Sequence, residues 1–358
     1  MPYSFVLTGG GTGGHVFPAL AVARVLRERG HRLLFIGTRE GMEVKLVADA
    51  GYDMAFIRSG GLNRVGLRQQ IQTALRLPGS VAGALRLLRG FRAQSVFSMG
   101  GYVAGPVMLA SVLGRIPLIV MEPNAIPGFA NRRVGKRVYR ALLGFESTRK
   151  WFPEGKSEVT GLPVRPEFFA LQPKQNGMFT VLITGGSRGS RTLNRASRES
   201  WKLFCESGVP VRIVHQTGAA EYEALAKEFA TAGLPGEVAP FIRNMPHAFA
   251  QADLVIGRAG GGAVNEIAAA GMPSVLVPFP YAADDHQREN AEVLAKAGAA
   301  RMVLDAEMSG ERLFREVEML RAAPDELGRM RERVRPFARP GAAERAADLM
   351  EEAARAPR

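Results

Sequence analysis

A single cysteine, Cys205, in 358 residues excludes an internal disulfide. With no Cys or His cluster around it, Cys205 reads as a small buried apolar residue in a chain suited to a reducing compartment. No stretch approaches the roughly 18 uninterrupted apolar residues of a spanning helix. The best run, Ile116 to Met121, is short and closed by Glu122. The N-terminus lacks the basic start and long apolar segment of a signal peptide, so the chain is expected to stay in the cytoplasm. The histidines are scattered at positions 15, 31, 215, 247 and 286, and no Asp-x-Asp motif occurs. No metal and no other cofactor is therefore expected, and Asp284-Asp285 reads as a solvated turn. Neither a nucleophile elbow nor a Ser-His-Asp order points to a hydrolase.

Acidic residues are also missing from one long region. Between Met54 and Met121 there is none, while eight arginines occur. Residues 1–163 carry 22 Lys+Arg against 9 Asp+Glu, whereas the remainder is balanced at 25 each, so the whole formal charge of +13 lies in the first half. Such asymmetry calls for an anionic partner: nucleic acid, an anionic membrane surface or a polyanionic substrate. Leu67 to Arg92 has apolar residues at 67, 71, 75, 81, 85 and 88, with Arg68, Arg76, Arg86, Arg89 and Arg92 between them. This basic amphipathic pattern, expected to break at Pro78-Gly79, suits a helix pair that covers a core or enters an anionic interface. The missing acids favour the membrane. No aromatic interleaving supports nucleic acid.

What is present is βαβ punctuation. SFVLT, RLLFIGT, SVFSMG and PLIVMEP in the first half, then FTVLITGG, VRIVHQTG, ADLVIGRAGGG and SVLVPFP in the second, are apolar runs that stop at Gly, Pro or a polar turn. Helical patterns lie between them, so two parallel-sheet α/β domains are predicted, at 1–163 and 164–340. ESTRKWFPEGKSEVTGLPVRPEFF reads as the linker, and a final helix over about 341–358 is expected to pack back on the first domain.

Glycine turns recur at the strand ends. Gly9, Gly11 and Gly14 have G-x-G-x-x-G spacing, which suits an anion at a helix N-terminus or simply a tight turn. A dinucleotide site is disfavoured because the strand RLLFIG ends in Thr38-Arg39, with Glu40 and Glu43 late. SMGGYVAGP, TGGSRGS and RAGGGAVNE add three more turns, which together suit a ligand with phosphates at its middle. In RAGGGAVNEIAAAG a helix is expected to open on the glycines with Glu266 in its first turn, able to hold both hydroxyls of a ribose or to satisfy local N–H groups. Asp284, Asp285, His286, Gln287 and Asn290 then supply groups able to read sugar hydroxyls. His15, at a helix start where the dipole disfavours imidazolium, is either a turn cap or a base for an acceptor hydroxyl.

Taken together, GGGTGGHVFPALAVA, SMGGYVAGP, EPNAIPG, GLPVR, ITGGSRGSRTLN and RAGGGAVNEIAAAGMPSVLVPFPYAADDHQRENA resemble the MurG-type undecaprenyl-diphospho-muramoylpentapeptide β-N-acetylglucosaminyltransferases of glycosyltransferase family 28. The resemblance implies α/β architecture with two Rossmann-like domains, parallel sheets facing across a cleft (GT-B). It implies inverting transfer of N-acetylglucosamine from UDP-N-acetylglucosamine to the muramoyl 4-hydroxyl of a polyprenyl-diphosphate-linked muramoyl peptide, in peptidoglycan synthesis. It also implies peripheral attachment to the cytoplasmic face of the bacterial membrane. Carried onto this chain, Thr12, Gly13 and Gly14 lie against the donor and Asn124 contacts its sugar. Arg165 and Ser187 bind the UDP portion, and Ile242 sits beside the uracil. Glu266 holds the ribose, Gly261, Gly262, Ala263, Val264 and Asn265 the diphosphate, and Gln287 the sugar hydroxyls. His15 is the candidate base. Gly260-Gly261-Gly262 departs from the family pattern and favours backbone over side-chain contacts. Another UDP-sugar lipid glycosyltransferase, a UDP-sugar epimerase and a non-catalytic binding protein are the alternatives, and acceptor dependence separates them.

Overall fold

The computed structural model describes residues 2–10, 13–39, 41, 43–58, 67–172, 174 and 177–356, with the side chains of 67–74 and 102 left aside. It contains two compact units, residues 1–165 with 339–358 and residues 166–338. The first is built on strands β1 (Ser4–Thr8), β2 (Arg32–Gly37), β3 (Met54–Phe56), β4 (Ser95–Ser98), β5 (Leu118–Glu122), β6 (Arg140–Leu143) and β7 (Ser157–Val159). They form one parallel sheet in the order β3-β2-β1-β4-β5-β6-β7. All residues of β1, β4 and β5 are buried, as central strands covered on both faces must be. Helices α1 (Gly13–Glu28), α2 (Glu43–Asp49), α3 (Leu67–Gly90), α4 (Gly101–Leu113) and α5 (Phe129–Val134) make the crossovers.

Two expectations change here. The stretch read as a linker does contain the division between the units, at Arg165–Pro166, but it also supplies edge strand β7, whose three residues are too few to show a period. The break expected at Pro78 is absent: α3 runs through it as one helix. Proline removes one backbone donor, and nearby the Ser80 hydroxyl is shared between the carbonyls of Arg58 and Arg76. Val81, Ala84 and Leu88 of α3 are buried in the core, whereas Leu75 is 76% exposed and Arg76, Arg86 and Arg89 face outward.

The second unit has strands β8 (Phe179–Thr184), β9 (Val211–Gln216), β10 (Gly236–Ala239), β11 (Leu254–Gly257), β12 (Ser274–Leu276) and β13 (Arg301–Met302), parallel in the order β10-β9-β8-β11-β12-β13. Its helices are α6 (Arg191–Ser207), α7 (Tyr222–Ala232), α8 (Met245–Gln251), α9 (Gly261–Ala269), α10 (His286–Lys296), α11 (Gly310–Arg321) and α12 (Pro324–Val334). Helix α6 shows how sequence sets boundaries. Ser190 caps its start by accepting from Leu193 N at 3.3 Å, and Gly208 ends it in the left-handed conformation. Leu193, Ala196, Trp201 and Phe204 form its buried stripe. Cys205 falls one position off that stripe, so the expectation that it is buried is wrong: it is exposed, its thiol 3.1 Å from the Ala232 carbonyl.

The chain then returns to the first unit. Helix α13 (Ala342–Arg355) buries Ala346, Ala347, Leu349, Met350 and Ala353 in the cluster that contains Phe5, Leu7 and Val22. Arg29 is held by Asp348 at 2.8 Å and Glu351 at 3.0 Å, and Arg345 pairs with Glu158 at 2.8 Å.

His215 sits fully buried in β9, and neither ring nitrogen has a hydrogen-bond partner among the described residues. Burial pushes its pKa down to about 3. Above pH ~6.5 the ring is neutral in folded and unfolded chains alike. Below that, the unfolded chain takes up a proton that the folded chain refuses until about pH 3, so stability is lost as pH falls through this window. Denaturant unfolding at pH 7.5 and pH 5 is expected to show a loss of about 2 kcal/mol from this residue, absent in His215→Leu. Equal losses in both proteins would contradict it.

Candidate functional site

In an open parallel sheet, ligands bind beyond the carboxyl ends of the strands where the strand order reverses. That point lies between β1 and β4 in the first unit and between β8 and β11 in the second. Each place is where two of the glycine turns emerge, so geometry and motif coincide.

In the second unit, β11 leads through Arg258-Ala259-Gly260 into α9. Gly260 is the N-cap, without a side-chain cap, and no acidic residue occupies the first turn. The Val264 N–H is already bonded to the Gly260 carbonyl at 3.0 Å, which leaves the N–H groups of Gly261, Gly262 and Ala263 directed out of the helix. These donors and the helix dipole suit an anion. Asn265 turns its amide back onto the Gly261 carbonyl at 2.8 Å and is buried. Because the helix begins at Gly261, Glu266 lies in the second turn rather than the first, half-buried on the helix body. Arg258 is held by Asp305 and by the carbonyls of Val277 at 3.1 Å and Pro278 at 3.2 Å.

Helix α10 presents Gln287 and Asn290, three apart, to the same turn. Gln287 accepts from Phe279 N at 3.0 Å, and a Cβ on Gly260 would lie 3.9 Å from its Nε2. Asn290 is fully buried and donates to the Ala259 carbonyl at 2.9 Å, so it shapes the turn and does not read a sugar. Asp284 and Asp285 are exposed in a 3-10 turn, and His286 bonds to the Ala283 carbonyl at 2.7 Å. Among the described residues no group of three or more His, Cys, Asp or Glu is placed to hold a metal ion.

The turn after β8 carries Ser187, half-buried. It interlocks with the turn after β9: a Cβ on Gly189 would sit 1.8 Å from the Thr217 carbonyl, and one on Gly218 2.4 Å from that of Arg188. Ile242 follows β10, its N–H bonded to Gln216 at 2.8 Å.

In the first unit a Cβ on Gly9 would lie 2.6 Å from that of Met99, so the turns after β1 and β4 abut. His15, third residue of α1, is half-buried with its ring 3.8 Å from a Cβ built on Gly101. Gly13 is buried and Gly14 exposed, while Thr12 lies outside the described residues, as does Glu40. Arg165 stacks over the Phe17 ring of α1 at 5.6 Å. Asn124 gives its backbone N–H and its amide to Glu122 Oε1, both at 3.1 Å.

Three buried side chains in these networks were not singled out from the sequence. Glu122, 1% exposed, also accepts from Gly128 N and Asn131 Nδ2, both at 2.9 Å. Burial pushes its pKa up while these N–H groups, Asn131 first, pull it back. The Asn124 N–H and amide, the Gly128 N–H and the Asn131 amide all donate to it, which suits the carboxylate. Glu43, noted only as a late acid, accepts from Thr38 Oγ1 at 2.9 Å and packs where a Cβ on Gly10 would be 2.6 Å from its carboxyl carbon. Gln216 is the third. An acidic or amide residue closing a strand is the signal that could have found Glu122 and Gln216, whereas Glu43 opens helix α2.

Residues 5–143 match the glycosyltransferase family 28 N-terminal domain, and residues 180–352 match the glycosyltransferase family 28 C-terminal domain. The UDP-N-acetylglucosamine--N-acetylmuramyl-(pentapeptide) pyrophosphoryl-undecaprenol N-acetylglucosamine transferase of Solibacter usitatus is 56% identical over 353 residues, 98% of this chain and 96% of that protein. The protein of the same name from Halorhodospira halophila is 42% identical over 355 residues, 97% of this chain and 98% of its own. The crystal structure of Acinetobacter baumannii MurG is similar with a TM-score of 0.79 at 33% identity, covering 98% of this chain and 100% of that one.

Proposed function

The chain belongs to glycosyltransferase family 28, and from that premise we propose that it transfers N-acetylglucosamine from UDP-N-acetylglucosamine to the lipid-linked N-acetylmuramyl pentapeptide, forming lipid II for peptidoglycan synthesis. The observation that carries the reading is the glycine-opened α9, whose first-turn donors suit a diphosphate, within a chain 56% identical over nearly its whole length to a transferase of that name. The acceptor's 4-hydroxyl oxygen attacks the sugar's anomeric carbon with inversion as the bond from that carbon to the UDP oxygen breaks. His15 takes the hydroxyl proton. UDP leaves into the N–H groups of Gly261, Gly262 and Ala263, with Ser187 and Arg165 sharing the developing charge. Glu266 holds the ribose, Gln287 and Asn124 the sugar, Ile242 the uracil, and Thr12, Gly13 and Gly14 lie against the donor.

Release of UDP is expected to require both UDP-N-acetylglucosamine and a polyprenyl-diphospho-muramoyl peptide, with UDP-glucose a poor donor. His15→Ala should lower kcat by about 10²- to 10⁴-fold, and Glu266→Ala should raise the donor KM. Release without acceptor would instead indicate an epimerase or a hydrolase, and no release with either donor would leave a binding protein.

We further propose that the first unit docks on an anionic membrane surface. No helix among the described residues is long and apolar enough to cross a membrane. The exposed Leu75 beside Arg76, and exposed Phe129 and Trp151 with Arg133 and Arg132 over their rings at 4.9 and 5.4 Å, support interfacial attachment. Co-sedimentation with phosphatidylglycerol vesicles is expected, with little on phosphatidylcholine and a loss in an Arg76→Glu, Arg86→Glu, Arg89→Glu triple variant. Equal binding to both vesicles, or to neither, would contradict the electrostatic docking.

A further inference from the structure

At the end of β9 one primary amide joins three segments around the place assigned above to the donor's base. Gln216 is 2% exposed. Its Nε2 donates to the Gly186 carbonyl at 2.9 Å and to Thr184 Oγ1 at 3.2 Å, while its Oε1 accepts from Ile242 N at 2.8 Å. The Thr184 hydroxyl in turn accepts from Gly186 N at 3.2 Å. The amide thus shows a donor edge to the turn after β8 and an acceptor to the loop after β10. Glutamate at this position would set a carboxylate against the Gly186 carbonyl, and leucine would leave buried donors and acceptors unpaired.

The consequence falls on the Phe241–Ile242 peptide. No cis peptide bond occurs among the described residues, so an Ile242 N–H aimed at Gln216 turns the Phe241 carbonyl to the opposite side. Phe241 is 45% exposed and Ile242 half-buried, so this segment is open to a ligand.

We propose that Gln216 is a positioning residue for nucleobase selection: it fixes the Phe241–Ile242 peptide so that its outward carbonyl accepts the imide N–H of uracil. The inference rests on the reading that Ile242 lies beside the donor's base. Cytosine carries a bare ring nitrogen where uracil carries that N–H, and the fixed oxygen repels it. A peptide free to rotate meets either base with one of its two polar groups, and the distinction weakens.

The test uses the full chain with Gln216→Leu, Gln216→Glu and the milder Gln216→Asn, each checked for a cooperative melt. Thr217→Val serves as a reference, because the Thr217 hydroxyl bonds to the Gly218 and Ala239 carbonyls in the same turn without touching Ile242. Calorimetry gives Kd for UDP and for CDP, and steady-state kinetics give the donor constants. The Leu and Glu variants are expected to bind UDP about tenfold to a hundredfold more weakly. The donor KM should rise in parallel, kcat should hold within about threefold, and the preference for UDP over CDP should narrow by about tenfold. Thr217→Val should lower the melting temperature and keep the UDP-to-CDP ratio. A wild-type ratio in the folded Gln216 variants overturns the proposal, whatever their stability. Failure of the underlying reading looks different, since the unsubstituted protein would then bind CDP as tightly as UDP.

Discussion

Close approach of backbone to backbone beyond the ends of parallel strands is the constraint on which both units depend. A Cβ on Gly9 would overlap Met99, and one on Gly189 or Gly218 would overlap a main-chain carbonyl of the neighbouring turn. Gly189 and Gly218 also have φ of 74° and 78°, a conformation that L side chains rarely adopt. Glycine therefore does two things at once: it lets adjacent crossovers start side by side, and it leaves their N–H groups uncovered. In the second unit the first turn of α9 is also open, with no side-chain cap and no acidic residue, an arrangement that suits a negative charge.

Turns made of glycine have little of their own to hold them, and buried polar side chains take over that work. Glu122 gathers four N–H groups of the 124–131 segment. Gln216 ties Gly186 to Ile242, and Asn290 secures the Ala259 carbonyl. A buried polar group with its partners in place costs little, whereas one left unpaired is expensive, so each network favours a single loop geometry. The same logic separates roles among neighbours: Asn290 and Asn265 spend their amides on the backbone, while Gln287 keeps its Nε2 towards Gly260.

Much of this was legible in the sequence because the signals were long or repeated. The central strands were visible as apolar runs ending in glycine, and the two parallel-sheet α/β domains followed from their alternation with helices. The edge strands Met54–Phe56, Ser157–Val159 and Arg301–Met302 were not visible, since two or three residues show no period. Pro78 misled because a proline inside a helix removes only one hydrogen bond when the surrounding helix is otherwise packed. The position of Glu266 was misjudged by one turn because glycines give no capping signal to mark where α9 begins. Cys205 went astray for a simpler reason: composition says how often cysteines are buried, not on which face of α6 this one falls. Gln216 joins segments 26 to 32 residues away, which no local pattern encodes. The hydrogen-bond partners of Glu122 lie 2 to 9 residues on and Thr38 lies 5 before Glu43, bonds set by loop geometry and not by apolar period.

On the proposed reading the donor's diphosphate is held by backbone donors at the start of α9, and not through a bridging cation. Calorimetric titration of the protein with UDP and with UMP, in excess EDTA and in magnesium, tests it most directly. UDP is expected to bind with the same Kd in both buffers and at least about tenfold more tightly than UMP, the second phosphate adding its own charge-assisted hydrogen bonds. Loss of UDP binding in EDTA, or equal affinity for UDP and UMP, would contradict it.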